Sequence, residues 1–281
     1  MAAAYVLLGA ALFGTVGIAK ELGPDAPNIQ VAWLRVLLAS LVFGAFAWRG
    51  RGLREAWGSE SLWIAGLAQA AFQIAIFTAF SRIGVGGGTL IGIGLAPLIT
   101  GILKRAWSWV WALSTALGLA GLGLLVGGGS VTDVRGIVAG LCAATALSVY
   151  IIAIGRPSSG SPQAELSAIF GVAALALAIP AVLASGGDWL SGPSGWVMIV
   201  YIALVPTVLA YRLYNSGGAF LPASMTATFG LMEPVIATVL GVIVLDEAVT
   251  VPAVIGAVLI VSAVLVLVRM APAPVNVRDN G

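Results

Sequence analysis

Glu233 is an ionisable side chain inside a long apolar run, where it could bind a proton or a charged solute. It falls near the middle of the run 223–245. A bare charge at the centre of such a run costs about 2.5–3.5 kcal/mol or more if the run lies in hydrocarbon. We therefore expect Glu233 to face the protein interior and to bind a proton or an amine. The alternative is a structural carboxyl that is hydrogen-bonded to backbone freed by Pro234.

Arg35 is the second charge in such a position. It lies seven residues into the run 29–48, roughly 10 Å along a helix that rises 1.5 Å per residue. Its guanidinium is a candidate to bind the carboxylate of a solute or to pair with an acid. The alternative is that its long side chain reaches back to the nearer surface.

Neutral polar residues recur at helical spacing in four of the apolar runs. Such groups must find partners in protein or water, because lipid offers none. We predict that they line a cavity for an amphipathic solute, and hydrogen bonding between helices without solute contact is the alternative for each. The candidates are Gln69 and Gln73 in the third run, Thr145, Ser148 and Tyr150 in the sixth, Thr207, Tyr211 and Tyr214 in the eighth, and Thr226 with Glu233 in the ninth.

Two prolines, Pro97 and Pro234, lie 137 residues apart in runs that can be aligned at that offset. Each proline removes a helical hydrogen bond and crowds the carbonyl four residues earlier, at Ile93 and at Gly230. Matching bends beside a cavity make both prolines hinge candidates. Many membrane helices are kinked by proline without any gating role, which is the alternative.

Several kinds of chemistry are excluded by what the sequence lacks. The chain contains no His, which excludes His-based metal sites and Ser-His or Cys-His nucleophile pairs. A phosphate-binding loop of the form GxxxxGK[ST] is absent, and Cys142 is the single cysteine. We expect no enzymatic activity, no cofactor and no bound metal.

The composition indicates that lipid is the solvent around these residues. Of the 281 residues, 60% are apolar and 9% are charged, whereas soluble domains have about 45–50% and about 25%. Crossing about 30 Å of hydrocarbon takes roughly 20 helical residues. Ten runs of that length occur, at about 3–19, 29–48, 62–81, 84–103, 108–126, 136–155, 164–185, 195–214, 223–245 and 250–268.

The distribution of positive charge predicts the orientation of these runs. Nine Lys and Arg residues lie in the loops that would be cytoplasmic with the N-terminus inside, and three lie in the opposite loops. The positive-inside rule therefore predicts that both termini are cytoplasmic. The net charge of +2 gives no reason to expect nucleic acid as a partner. We expect a monomer whose tail, 271–281, is disordered.

Two halves of five helices each are predicted, 1–131 and 132–270. Both halves have a very short link between their third and fourth runs. Because five is odd, the second half enters the membrane upside down relative to the first. Inverted repeats are typical of transporters that bind a solute at the repeat interface. The predicted fold is an all-α membrane protein with ten transmembrane helices, built as two inverted five-helix repeats around a central cavity.

Short motifs add a family resemblance that extends over about 3–268. The chain resembles EamA-type members of the drug/metabolite transporter superfamily in Trp33-Leu34-Arg35, Glu233-Pro234, Leu245-Asp246-Glu247 and Gly256. The resemblance implies a ten-helix basket whose cavity is lined by helices 1, 3, 4, 6, 8 and 9. It also implies transport of amino acids, other metabolites or drugs, and several bacterial ten-helix members export amino acids, aromatic ones included. Lys104-Arg105 departs from the pattern, because family halves often carry an acid there.

The function expected from residues and resemblance together is secondary or facilitated transport in the bacterial inner membrane. We expect export of a small-molecule substrate, specifically amino acids, by alternating access, with protons as the candidate coupling ion. A drug exporter or an uptake carrier of the same fold is the nearest alternative. A membrane enzyme and a passive channel are the alternatives from other classes.

Overall fold

The structure is a computed structural model that describes residues 1–48, 52–127, 132–154 and 161–270. The expected disordered tail and the boundary between the predicted halves lie outside these ranges. So do four of the nine positive charges that were predicted to be cytoplasmic, Arg49, Arg51, Arg156 and Arg278. Within them the chain forms ten long helices, α1 to α10. We number them α1 (Ala2–Phe13 and Thr15–Glu21), α2 (Asn28–Ala47), α3 and α4 (Glu60–Gly92, divided at Gly84, with Ala96–Leu103 completing α4), α5 (Trp109–Leu125), α6 (Val134–Ile154), α7 (Pro162–Leu183), α8 (Pro193–Ala203 to Ala210–Gly218), α9 (Ala223–Gly230 and Met232–Leu245) and α10 (Val251–Met270). A short helix, Leu53–Trp57, precedes α3.

The helices are long and apolar enough to make the chain a multi-pass membrane protein. Eight continuous helical stretches in the described residues meet the length and hydropathy needed for a span. One of them, Glu60–Leu103, has 44 residues, about 66 Å of helix and so enough for two crossings. Trp109–Leu125 is shorter, at 17 residues. Large apolar side chains such as Phe46 and Ile179 are exposed on the outside, as a lipid-facing surface requires. The all-α membrane fold predicted from composition is confirmed.

A glycine makes the sharp turn between α3 and α4. Gly84 has φ +73° and ψ 165°, a backbone region that is open essentially to glycine alone. Beyond it α4 runs back along α3, because a Cβ on Gly88 would meet Phe80 and a Cβ on Gly92 would meet Ile76. The very short link predicted between the third and fourth runs is therefore a tight turn at Ile83 and Gly84.

Helices α4 and α9 are each broken at the place that the prolines predict. In α4 the helix is interrupted at 93–95, and in α9 it is interrupted at Leu231. Pro97 and Pro234 then lie in the first turn of the following segments. A first-turn proline loses little, since its missing N–H would have had no helical acceptor there.

Helices α2 and α7 run antiparallel and contact each other reciprocally. Ser40 Oγ donates to the carbonyl oxygen of Ser167 at 2.9 Å, and Ser167 Oγ donates to the carbonyl oxygen of Ser40 at 3.1 Å. Near the other end, Gln30 Nε2 donates to the carbonyl oxygen of Ala184 at 2.9 Å. The start of α2 therefore meets the end of α7.

Helices α5 and α10 show the same kind of reciprocal contact. A Cβ built on Gly121 would press against the carbonyl oxygen of Gly256, and a Cβ on Gly256 would press against the carbonyl oxygen of Gly121. Small residues at both positions allow the two backbones to approach closely.

The remaining neighbours form two groups around the centre. Helix α1 packs against α8 and α9, and α6 packs against α3 and α4. Gly9 of α1 lies against Ala210 of α8, while Gly140 of α6 lies against Ile91 of α4. The space between these groups contains the cavity described next.

Candidate functional site

A cavity of about 160 Å³ lies where seven helices meet. Helices α1, α3, α6, α8 and α9 and the break in α4 contribute to its lining, as the family resemblance implies for helices 1, 3, 4, 6, 8 and 9. Helix α2 adds Arg35, which that set did not include. The cavity lining contains both charges that the sequence singled out.

Glu233 reaches the cavity because of the break in α9. It is the second residue of Met232–Leu245, so its carboxylate lies at the positive end of a helix dipole. No Lys or Arg nitrogen of the described residues lies within 4.0 Å of it, and no hydrogen bond to its carboxylate occurs within those residues. The structural carboxyl bonded to freed backbone, the alternative considered for Glu233, is not the arrangement found.

Arg35 lines the same cavity from α2 and is partly buried. Its Nε atom is buried without a hydrogen-bond partner among the described residues. The side chain is therefore directed inward, and reaching back along its own stem to the membrane surface is not its arrangement here. The cavity thus presents one positive and one negative group that do not form an ion pair with each other.

Tyr211 is the centre of an aromatic cluster on one wall. Gln69 Nε2 donates to its hydroxyl at 2.7 Å. Its ring centroid lies 4.7 Å from that of Phe13, 4.8 Å from that of Phe170 and 5.9 Å from that of Tyr150. Such tilted and edge-to-face pairs are favourable for aromatic rings, and together with the hydrogen bond they fix the position of Tyr211.

Two further tyrosines of the lining are also held by their hydroxyl groups. Tyr150 Oη donates to Asn215 Oδ1 at 2.8 Å. Tyr214 Oη donates to the carbonyl oxygen of Thr226 at 3.0 Å. The predicted residues Gln73, Tyr150, Tyr211, Tyr214 and Glu233 are therefore brought together with Arg35 around one cavity.

Four of the other predicted lining residues are buried behind the cavity wall. Gln69 supports Tyr211. Ser148 Oγ donates to the carbonyl oxygen of Ala144 at 2.8 Å, and Thr226 Oγ1 lies 3.4 Å from that of Pro222. Thr207 lies in a π-helical turn, Leu204–Leu209, and its hydroxyl donates to the carbonyl oxygen of Ile202, five residues earlier. The π-helical turn alters the α-helical spacing on which its grouping with Tyr211 relied.

Thr145 is not a lining residue in this structure. It lies on the exposed face of α6, and its hydroxyl donates to the carbonyl oxygen of Leu141 at 2.8 Å. This hydrogen bond to the carbonyl four residues earlier satisfies the hydroxyl within its own helix, so the side chain needs no interior partner. The inference from its spacing to Ser148 is corrected accordingly.

The hinge candidates differ in their distance from the cavity. Both prolines are buried, but Pro234 directly follows the lining residue Glu233, whereas Pro97 has no such neighbour in the lining. The carbonyl oxygen of Pro97 accepts a long hydrogen bond, 3.4 Å, from Trp111 Nε1. The indole thus ties the segment after the α4 break to α5.

An aromatic wall formed by Phe13, Phe72, Phe77 and Phe80 was not identified from the sequence. Phenylalanines in an apolar run face lipid and protein equally well, so their spacing carries no signal. Gly14, where α1 is interrupted directly after Phe13, is the one local feature that marks part of this wall. In the described ranges, His, Cys, Asp and Glu are not grouped in a way that could hold a metal ion.

In the described residues, ten helices surround an amphipathic cavity, which is the architecture of a membrane transporter for small solutes. The EamA-like transporter family model matches residues 134–269. The uncharacterized transporter YwfM of Bacillus subtilis (strain 168) is 30% identical over 273 residues, which cover 94% of this chain and 92% of that protein. The threonine/homoserine exporter RhtA of Escherichia coli (strain K12) is 27% identical over 250 residues, which cover 86% and 82%. A crystal structure of a protein with 22% identity matches with a TM-score of 0.83 over 94% of this chain and 96% of that one, which shows a shared fold.

The chain belongs to the EamA-like transporter family. The family resemblance predicted from the short motifs is confirmed, and the family is one of transporters rather than enzymes.

Proposed function

We propose that this protein exports amino acids by alternating access, binding each as a zwitterion between Arg35 and Glu233. The observation that carries the proposal is that one cavity contains both side chains and that they form no ion pair with each other. A charge in such a place is costly unless a partner compensates it. A substrate with an ammonium at Glu233 and a carboxylate at Arg35 compensates both.

The size of the cavity favours an amino acid over a drug. Its volume of about 160 Å³ is below the roughly 300–1,000 Å³ of pockets for drug-sized ligands. The similarity to a threonine/homoserine exporter points in the same direction. Amino acids with aromatic side chains also fit the aromatic wall, and an uptake carrier of the same design differs only in the gradients that drive it.

Alternating access is supported by the packing of helices that are equivalent in the two proposed halves, 1–131 and 132–270. Helix α2 is equivalent to α7, and α5 to α10. Each pair makes reciprocal contacts, which are what a two-fold relation produces. The antiparallel course of α2 and α7 is what an inverted second half would produce, and it supports that part of the proposal. Rocking of inverted halves around a fixed site is the usual basis of alternating access.

Glu233 also offers a route for coupling to protons. A carboxylate that binds either a proton or the substrate ammonium, but not both, exchanges one for the other. Inward proton movement then drives outward movement of the amino acid. We place the protein in the bacterial inner membrane as a monomer. The charge bias of nine residues against three supports an orientation with both termini in the cytoplasm.

Competition by substrate analogues tests the binding mode. Liposomes that contain the purified protein are loaded with threonine, and the uptake of labelled threonine by counterflow is measured. Unlabelled threonine, threonine methyl ester and N-acetylthreonine are added outside as competitors. We expect the ester and the N-acetyl compound each to compete at least about tenfold more weakly than threonine, because each lacks one of the two charged groups that would bind.

The variant Arg35→Gln tests whether the weaker binding of the ester comes from the lost contact with Arg35. It should lower the affinity for threonine while leaving the affinity for the ester nearly unchanged. An ester that competes as well as threonine in the unaltered protein would contradict binding of the carboxylate by Arg35.

A further inference from the structure

Gln73 is a buried polar residue of the cavity lining, in addition to the charged pair Arg35 and Glu233. Its side chain is 1% exposed, and its Nε2 atom has no hydrogen-bond partner among the described residues. The residue nevertheless contributes to the lining. A buried amide without a partner is unfavourable, and it points to a ligand that completes it.

The other neutral polar groups of the lining already have partners. The hydroxyls of Tyr150, Tyr211 and Tyr214 each take part in a hydrogen bond with Asn215, Gln69 or the Thr226 backbone. Gln69, one helical turn before Gln73, uses its amide in this way. Within the described lining, Gln73 is therefore the neutral side chain with an amide nitrogen left for a substrate.

The neighbours of Gln73 in the lining are apolar. Phe72, Ile76 and Phe77 come from the same helix, α3. A substrate side chain that packs against this wall gains by being largely apolar, but an aliphatic side chain leaves the Gln73 amide unpaired. A hydroxyl resolves the conflict, since it both donates and accepts and so matches the amide in either orientation.

We propose that Gln73 is a specificity-determining residue that selects amino acids with a hydroxyl in the side chain over aliphatic ones of the same shape. This proposal rests on the amino-acid transport proposed above and adds the class of substrate. A site that hydrogen-bonds a substrate hydroxyl discriminates against the analogue lacking it, because its own polar group is then buried without a partner.

The test compares substrates that differ only by a hydroxyl in place of a methyl group. In proteoliposome counterflow of labelled threonine, the competitors are threonine against valine and homoserine against norvaline. We expect the hydroxyl compound of each pair to compete about five- to tenfold better in the unaltered protein. In Gln73→Met the ratio should fall to about one, because valine and norvaline gain affinity.

Gln69→Met is the matched control, since it is the same substitution one turn away on the same helix. It removes the support of Tyr211, so we expect weaker binding of all four compounds with the hydroxyl preference kept. Gln73→Asn, which draws the amide back by one methylene, is a second variant and should also reduce the preference.

Three outcomes are distinguishable. Equal competition by threonine and valine in the unaltered protein overturns the role of Gln73, even if no variant folds. A preference that persists in both Gln73 variants overturns it as well. If neither threonine nor any other amino acid exchanges in the unaltered protein, the proposed function itself fails, and this proposal fails with it.

Discussion

Glu233 can occupy the middle of a membrane-spanning segment because the helix starts again beside it. A carboxylate in the first turn is stabilised by about 0.3–1 kcal/mol through the helix dipole, whereas its charge at the bilayer centre costs about 2.5–3.5 kcal/mol. The dipole offsets only part of that cost. The cavity and the solute or proton that it admits must supply the rest, which is why Glu233 is a functional residue in our proposal.

Glu233→Gln tests the coupling role at this residue. Glutamine resembles protonated glutamate but cannot release a proton, so we expect transport to lose its dependence on a pH gradient and threonine affinity to fall about tenfold. Transport rates in proteoliposomes with and without the gradient measure the first effect. Glu55→Gln, at an exposed carboxylate far along the chain, should change neither. Unaltered pH dependence in folded Glu233→Gln protein would remove the coupling role.

The charged site residues could be identified from sequence, while most of their neighbours could not. Glu233 and Arg35 stand out because charge is rare in the apolar runs. The aromatic side chains that enclose them, such as Phe72 and Phe77, do not, because an apolar residue in a membrane helix is compatible with lipid on one side and protein on the other. Thr145 shows the converse error, since a hydroxyl can satisfy itself on its own helix.

At the scale of elements, α4 and α9 share a design of two short helical segments joined by a break. In each, a proline lies in the first turn after the break. The break in α9 places Glu233 at a helix start, and the equivalent position in α4, 137 residues earlier, is Ala96. We therefore propose that these two helices bend at their breaks during transport.

Pro97→Ala combined with Pro234→Ala tests this bending. First-turn prolines donate no helical hydrogen bond that alanine would restore, so we expect the free energy of unfolding to change by about 1 kcal/mol or less. Turnover should slow several-fold with little change in threonine affinity, because alanine allows the breaks to straighten. Counterflow rates and competition measured on the same preparation separate the two effects.

Pro180→Ala is the control for proline removal as such. Pro180 lies inside α7 and outside the cavity lining, so its replacement should leave turnover unchanged. A double variant in α4 and α9 that turns over as fast as the unaltered protein would contradict the hinge role.

The elements themselves could be predicted where hydropathy and length define them, and not where backbone detail does. The ten apolar runs correspond to the ten helices, and the prolines indicated both breaks. The π-helical turn in α8 had no hydropathy signal, and it moved Thr207 out of the group that α-helical spacing predicted. The contacts that bring α2 against α7 depend on side chains far apart in sequence, which one chain alone does not reveal.

At the scale of the whole molecule, two similarly packed groups of helices enclose a site that is not itself symmetric. Reciprocal contacts at Ser40 with Ser167 and at Gly121 with Gly256 follow the proposed two-fold relation. Arg35 and Glu233 break it, because each half contributes only one of the two charges. A zwitterion bound between them joins the two halves, so its binding and release can be linked to their relative movement.

The most direct test of amino-acid export is transport by the purified protein in liposomes, using labelled amino acids, drug cations and nucleosides, with and without a proton gradient. We expect counterflow of threonine and related neutral amino acids, faster efflux when protons move in the opposite direction, and no transport of the other two classes. Transport of drug cations or nucleosides without transport of any amino acid would contradict the proposed function.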